Sequence, residues 1–161
     1  MYKKILVGVD GSLHGAKALE TAVKLAQTFK AELFVFHAIR HHYHLPLFPI
    51  APYTFSQATL TPYDYSDEAL QQMYEESGRQ IIEEAKNQFK AMNVTLESKV
   101  TFNLETMIPP AEYAEDFAKA NKIDLIVLGC FGHHSRAKKI FMGTVATRIM
   151  NNAPCPVLIV R

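Results

Sequence analysis

The residues best suited to chemistry lie between Asp124 and Val145, in the stretch DLIVLGCFGHHSRAKKIFMGTV. Gly129 ends a short apolar run, Leu125 to Leu128, that reads as a buried strand. Gly132 follows, and after a basic, histidine-containing stretch Gly143-Thr144 opens a helical pattern. Glycine lets a backbone turn sharply and approach a ligand closely. A Gly-Thr pair at a helix start offers free backbone N–H groups, a hydroxyl and the positive end of the helix dipole. Together these groups would cradle an anion, phosphate above all. The plainer alternative is that the glycines only form a tight strand-to-helix loop.

The elements that must position this loop follow a simple rhythm. Lys3 to Val9 is an apolar β-run that ends in the turn Asp10-Gly11-Ser12, with Ser12 as helix N-cap. A helix from about Leu13 to Phe29 carries Leu19, Ala22, Val23 and Ala26 on one face. Ala31 to Ile39 reads as a second buried strand. Asp67 to Met92 is a long helix capped by Ser66, with Leu70, Met73, Tyr74, Ile81, Ala85 and Phe89 inward. Val94 to Phe102 alternates apolar and polar residues, as a strand near a sheet edge does. Pro109-Pro110 opens a helix with Ala111, Ala114, Phe117 and Ala118 inward. Thr144 to Asn151 is a helix with Val145, Ala146, Ile149 and Met150 on one face, and Val157 to Val160 is a last strand.

This alternation predicts an α/β fold, a parallel sheet with helices on both faces. Ligands of such sheets sit beyond the strands' carboxyl ends, where the winding reverses. Taking the strand order as 3-2-1-4-5, a choice over 2-1-3-4-5 that periodicity does not make, the reversal lies between the first and fourth strands. Asp10 then stands beside Gly129, and two loops share one crevice.

The 161 residues make a single domain, 1–161. With 48% apolar and 20% charged residues, the composition is that of an ordinary globular protein. A net charge of +1 gives no argument for a nucleic-acid or membrane surface. No apolar run is long enough to span a bilayer, and the N-terminal run is too short for a signal-peptide core. The expected location is the cytosol. Cys130 and Cys155 are then expected as free thiols. Residues 40–66 break the rhythm with four prolines, four tyrosines and His41, His42 and His44. This reads as an inserted surface segment; no acidic or Cys ligand joins the histidines, and no structural metal is expected.

With these residues collected, the chain resembles the universal stress protein family. The resemblance rests on ILVGVDGS at Ile5 to Ser12, on AELFVFHAI, on DLIVLGCFG, and on GTVATRIMNNAPCPVLIVR; only the 40–66 segment lies outside it. It implies a five-stranded parallel sheet of order 3-2-1-4-5 and a homodimer paired through Val157–Val160. Nucleotide-binding members carry G-x2-G-x9-G-[S/T] and hold ATP, with Mg, between the first and fourth strands. Carried over by position, Val9 and Asp10 would meet the adenosine, and Ala38 would flank the base. Gly129, Gly132, Gly143, Thr144 and Val145 would cradle the phosphates; Leu128 and His133 complete the expected set. This chain departs from the pattern: ten residues, HHSRAKKIFM, separate Gly132 from Gly143. The extra residue either bulges locally or moves Gly143-Thr144 away from the phosphates.

Three functions compete. The first is a cytosolic ATP-binding sensor or regulator. The second is a slow ATP hydrolase, although no G-x4-G-K-[S/T] loop is present and Asp10 is the one acidic residue the topology puts in the crevice. The third is a nucleotide-free interaction protein acting through its dimer and the 40–66 segment.

Overall fold

The computed structural model describes residues 1–39, 67–132 and 142–161, with backbone alone for 67–70. The 40–66 insertion, with its histidines, tyrosines and the Ser66 cap, and the basic stretch 133–141 lie outside the described residues.

Among the described residues, five strands and four helices alternate. They are β1 (Lys4–Gly8), α1 (Leu13–Phe29), β2 (Glu32–Ala38), α2 (Asp67–Ala91), β3 (Val100–Glu105), α3 (Pro110–Asn121), β4 (Leu125–Gly129), α4 (Thr144–Asn152) and β5 (Val157–Val160). All pairings are parallel, in the order β3-β2-β1-β4-β5. The expected fold class and strand order are therefore found.

The continuous apolar runs of β1 and β4 follow from burial on both faces. Ile5, Val7, Leu33, Val35, Leu125 and Val127 face α1 and α2. Leu6, Phe36, Ile126 and Leu128 face α3 and α4. Helix α1 starts where the Ser12 hydroxyl accepts the Gly15 N–H at 3.0 Å, and it ends at Lys30 in the left-handed region. Helix α3 begins at Pro110, where the missing N–H costs nothing. The Asp124 carboxylate accepts the Lys3 and Lys4 N–H groups at 2.8 and 2.9 Å, aligning the starts of β1 and β4.

Three expectations need correction. The strand expected over 94–102 begins only at Val100 and runs to Glu105. Val94 and Leu96 are partly buried in the α1/α2 core, but in a connecting segment. Packing without a ladder gave them the alternation of a strand. The strand does form a sheet edge, as expected. On α4 only Ala146 and Ile149 are buried, while Val145 and Met150 are 39% and 47% exposed. A short surface helix buries one narrow stripe, and these two flank it. On α2, Met73 is exposed, whereas Ile82 and Ala85 are buried. At 25 residues α2 is about 37 Å long, against about 23 Å for the seven-residue β2. Its first turns overhang the strands' carboxyl ends and have no sheet to cover.

The core makes a direct prediction. Ile126 is fully buried in β4, between β1 and β5. Ile126→Ala should lower unfolding free energy by about 2–5 kcal/mol in urea titrations, through lost burial and a cavity.

Candidate functional site

The winding reverses between β1 and β4, which pair side by side from Ile5↔Leu125 to Val7↔Val127. The segments leaving their carboxyl ends therefore meet. After β1 the chain turns through Gly11, whose φ of +73° is open to glycine at little cost. The Asp10 carboxylate closes this turn. Its Oδ1 accepts the Ser12 N–H at 3.1 Å and the Ser12 hydroxyl at 2.6 Å. The hydroxyl has one hydrogen, so this short bond takes precedence over the Phe131 carbonyl at 3.3 Å. Asp10 and Ser12 thus close the turn between them, with the Phe131 carbonyl 3.3 Å from the Ser12 hydroxyl on the other side of the crevice.

The glycines explain how closely these segments approach. A Cβ on Gly129 would stand 2.7 to 2.9 Å from backbone atoms of His14 and Gly15. A Cβ on Gly132 would stand 2.9 Å from Asp10 Oδ2, and one on Gly15 would stand 2.6 Å from Asp10 Oδ1. The Asp10 carboxylate is therefore flanked by two residues without side chains. The chain comes back at Gly143, whose N–H donates to the Cys130 carbonyl at 2.9 Å. The Cβ position of Gly143 lies 3.7 Å from the Gly132 nitrogen. The ten-residue spacing thus returns Gly143 to Gly132. Helix α4 starts at the next residue, and its N-cap, Gly143, has no side chain to cap it.

The expected site residues divide into three groups. Asp10, Gly129, Gly132 and Gly143 converge at the crevice. Val9, Ala38 and Leu128 are buried beneath it, so their side chains present little surface to a ligand. Thr144 and Val145 are exposed on the first turn of α4. His133 lies outside the described residues. The structure adds two residues with no place in the expected set. The His14 ring meets Phe131 edge-on, with centroids 5.2 Å apart, joining α1 to the loop after β4. His37 is buried, and its Nδ1–H donates to the Val9 carbonyl at 2.7 Å. A carbonyl can only accept, so Nδ1 carries the proton and Nε2 is bare. Nε2 is buried without a hydrogen-bond partner. The signal for His37 was a histidine inside an apolar strand, VFHAI.

Burial pushes the His37 pKa below its ordinary 6.5; the Val9 carbonyl and the Asp10 charge oppose that shift without cancelling it. Among the described residues, no group of three or more His, Cys, Asp or Glu could hold a metal ion. A cavity of about 70 Å³ opens behind the Asp10 turn, between Gly11, Ser12, Ile81 and Gln88. It is too small for a drug-sized ligand.

Two outcomes follow from this geometry. Gly129→Ala should destabilise the fold by about 1–3 kcal/mol in urea, because its methyl meets helix backbone rather than a movable side chain. The second concerns His37. The unfolded chain binds a proton at this residue near pH 6.5, and the folded chain binds it only at lower pH. Unfolded protein therefore holds more protons just below 6.5, and stability must fall as pH drops through that value. Thermal unfolding between pH 8 and 5 should show this loss, and His37→Asn should reduce its slope.

Comparison with known proteins bears on the family and the fold. The model of the universal stress protein family matches residues 1–161. Universal stress protein YxiE of Bacillus subtilis is 35% identical over the full length of both chains. Among solved structures, universal stress protein UspA from Lactobacillus plantarum superposes with a TM-score of 0.75 at 24% identity, covering 99% of this chain and 98% of its own. A universal stress protein in complex with cAMP superposes with a TM-score of 0.66 at 22% identity, covering 99% and 97%. Those two structures speak for the fold; the match along the whole sequence goes further, and this chain belongs to the universal stress protein family.

Proposed function

We propose that this protein binds ATP, with Mg, in the crevice between β1 and β4, and acts as a cytosolic, dimeric stress sensor or regulator. The observation that carries the reading is the return of Gly143 to Gly132 across the longer loop. It leaves a side-chain-free wall facing the Asp10 carboxylate and an uncapped helix N-terminus next to it. The residues present fit a nucleotide. Asp10 suits sugar hydroxyls, and Val9 and Ala38 would floor the adenosine end beside Leu128. Gly129, Gly132, Gly143, Thr144 and Val145 would receive the phosphates through backbone N–H groups and the Thr144 hydroxyl. The family neighbour in complex with cAMP supports an adenine ligand for the fold.

Binding rather than turnover is the stronger reading. Asp10 already accepts two hydrogen bonds from Ser12, which suits a fixed structural acceptor better than a base. The chain has no lysine-containing phosphate loop. For the dimer, β5 is an apolar edge strand with Leu158 37% exposed, the kind of edge that pairs with a second copy.

Protein purified without added nucleotide should release ATP on denaturation, identified by chromatography and mass, or bind added Mg-ATP in calorimetry. Gly132→Val drives its side chain toward Asp10 and should weaken binding by about tenfold or more, over 1.4 kcal/mol. Absence of binding at millimolar nucleotide would overturn the reading in favour of a nucleotide-free interaction protein. Sedimentation should show a dimer, and Leu158→Lys should shift it to monomer by placing charge on the edge.

A further inference from the structure

We propose that His37 is a positioning residue for the nucleotide crevice: its Nδ1–H holds the Val9 carbonyl and so fixes the peptide plane that leads into Asp10. The functional part of this inference rests on the nucleotide-binding reading given above.

The β1–β2 ladder ends at the pair Gly8↔Phe36. Just past it, the Val9 N–H donates to the Phe36 carbonyl at 2.9 Å, and the Val9 carbonyl accepts from the His37 ring at 2.7 Å. That second contact is at the short end of the range for N–H···O bonds. Among the described residues no peptide is cis, so the Val9–Asp10 unit is planar and trans. Holding the Val9 carbonyl therefore sets the direction of the Asp10 N–H and the exit of its side chain. From Asp10 the constraint passes to Ser12 and then to the Gly15 N–H. It also reaches Gly132, which faces Asp10 Oδ2.

A histidine serving only as core filler does not account for this site. Its buried Nε2 lacks a partner, and a leucine would fill the space without that polar atom. Helix α2 packs beside the same ring: a Cβ on Gly78 would stand 3.5 Å from His37 Cδ2, an ordinary contact, and 2.6 Å from Leu104 Cδ1, so it is Leu104 that opposes a larger residue there. The bare Nε2 is the local disadvantage at this position, and what accompanies it is the Nδ1–H contact to Val9.

The test compares Mg-ATP binding by wild type, His37→Leu and His37→Asn, with thermal unfolding of each at pH 8. The Asn amide nitrogen can occupy the place of Nδ1, so His37→Asn should bind within about threefold of wild type. His37→Leu should bind about tenfold more weakly, the loss expected for one hydrogen bond, and should still be folded at the assay temperature although the buried Val9 carbonyl has lost its donor. Wild-type affinity in a folded His37→Leu variant would overturn the proposal. Should that variant not fold, His37→Gln replaces it; its amide nitrogen corresponds to Nε2, and wild-type binding there overturns the proposal equally.

If wild type itself binds no adenine nucleotide, the nucleotide reading fails and the positioning role is read separately. Imidazole nitrogen shifts should then report the Nδ1–H tautomer, and amide exchange at Ser12 and Gly15 should quicken in His37→Leu, or in His37→Gln if it replaces the leucine variant. An Nε2–H tautomer, or unchanged exchange, would overturn it.

Discussion

The crevice depends on one steric fact: the Asp10 carboxylate occupies a gap between two residues that lack a Cβ. A side-chain carbon on Gly15 would stand 2.6 Å from one carboxylate oxygen, and one on Gly132 would stand 2.9 Å from the other. Neither distance is tolerable for real atoms. Gly129 adds a third close approach, with its Cα side pressed on the backbone of the first turn of α1. The amino end of α1 and the loop after β4 can therefore sit against each other with a carboxylate between them. The Ser12 hydroxyl can then donate to Asp10 with the Phe131 carbonyl close by, and Gly143 can close on Cys130. The parallel sheet brings the two strand ends together, but the missing side chains decide how closely they meet.

Much of this was legible because it depends on local pattern. The apolar runs of β1, β4 and β5 mark strands buried in a parallel sheet, and Ser12 marks the start of α1. Strand order is different: periodicity is the same for any arrangement of the strands. The family resemblance implies the order 3-2-1-4-5, and the meeting of Asp10 with the glycine loop follows from it. What misled was packing that imitates a ladder. Val94 and Leu96 alternate as a strand would, yet they pack from a connection. Val145 and Met150 lie at helical spacing but outside the stripe that α4 buries. The close approach of Gly143 to Gly132 was beyond any spacing argument, because a loop of ten residues can close or splay with equal ease. The role of His37 was also hidden, since its partner is a backbone carbonyl 28 positions away and no side-chain motif announces such a bond.

The same arrangement orients the proposed ligand by charge alone. Two unit charges 4 Å apart interact by about 1 kcal/mol in water and about 4 kcal/mol near a protein surface. A phosphate placed against Asp10 would meet that repulsion, whereas a sugar hydroxyl there would donate a hydrogen bond. The start of α4 has the opposite character: its N-terminal cap is Gly143, which has no side chain to cap it, and its first turn contains no acidic residue. A helix start of this kind attracts anions. One nucleotide satisfies both ends only when its sugar lies at Asp10 and its phosphates run toward Gly143 and Thr144. Reversing it would put like charges together at one end and leave the helix amides unused at the other. In the proposed complex the carboxylate would serve as an electrostatic stop as well as an acceptor, held in position between Gly15 and Gly132.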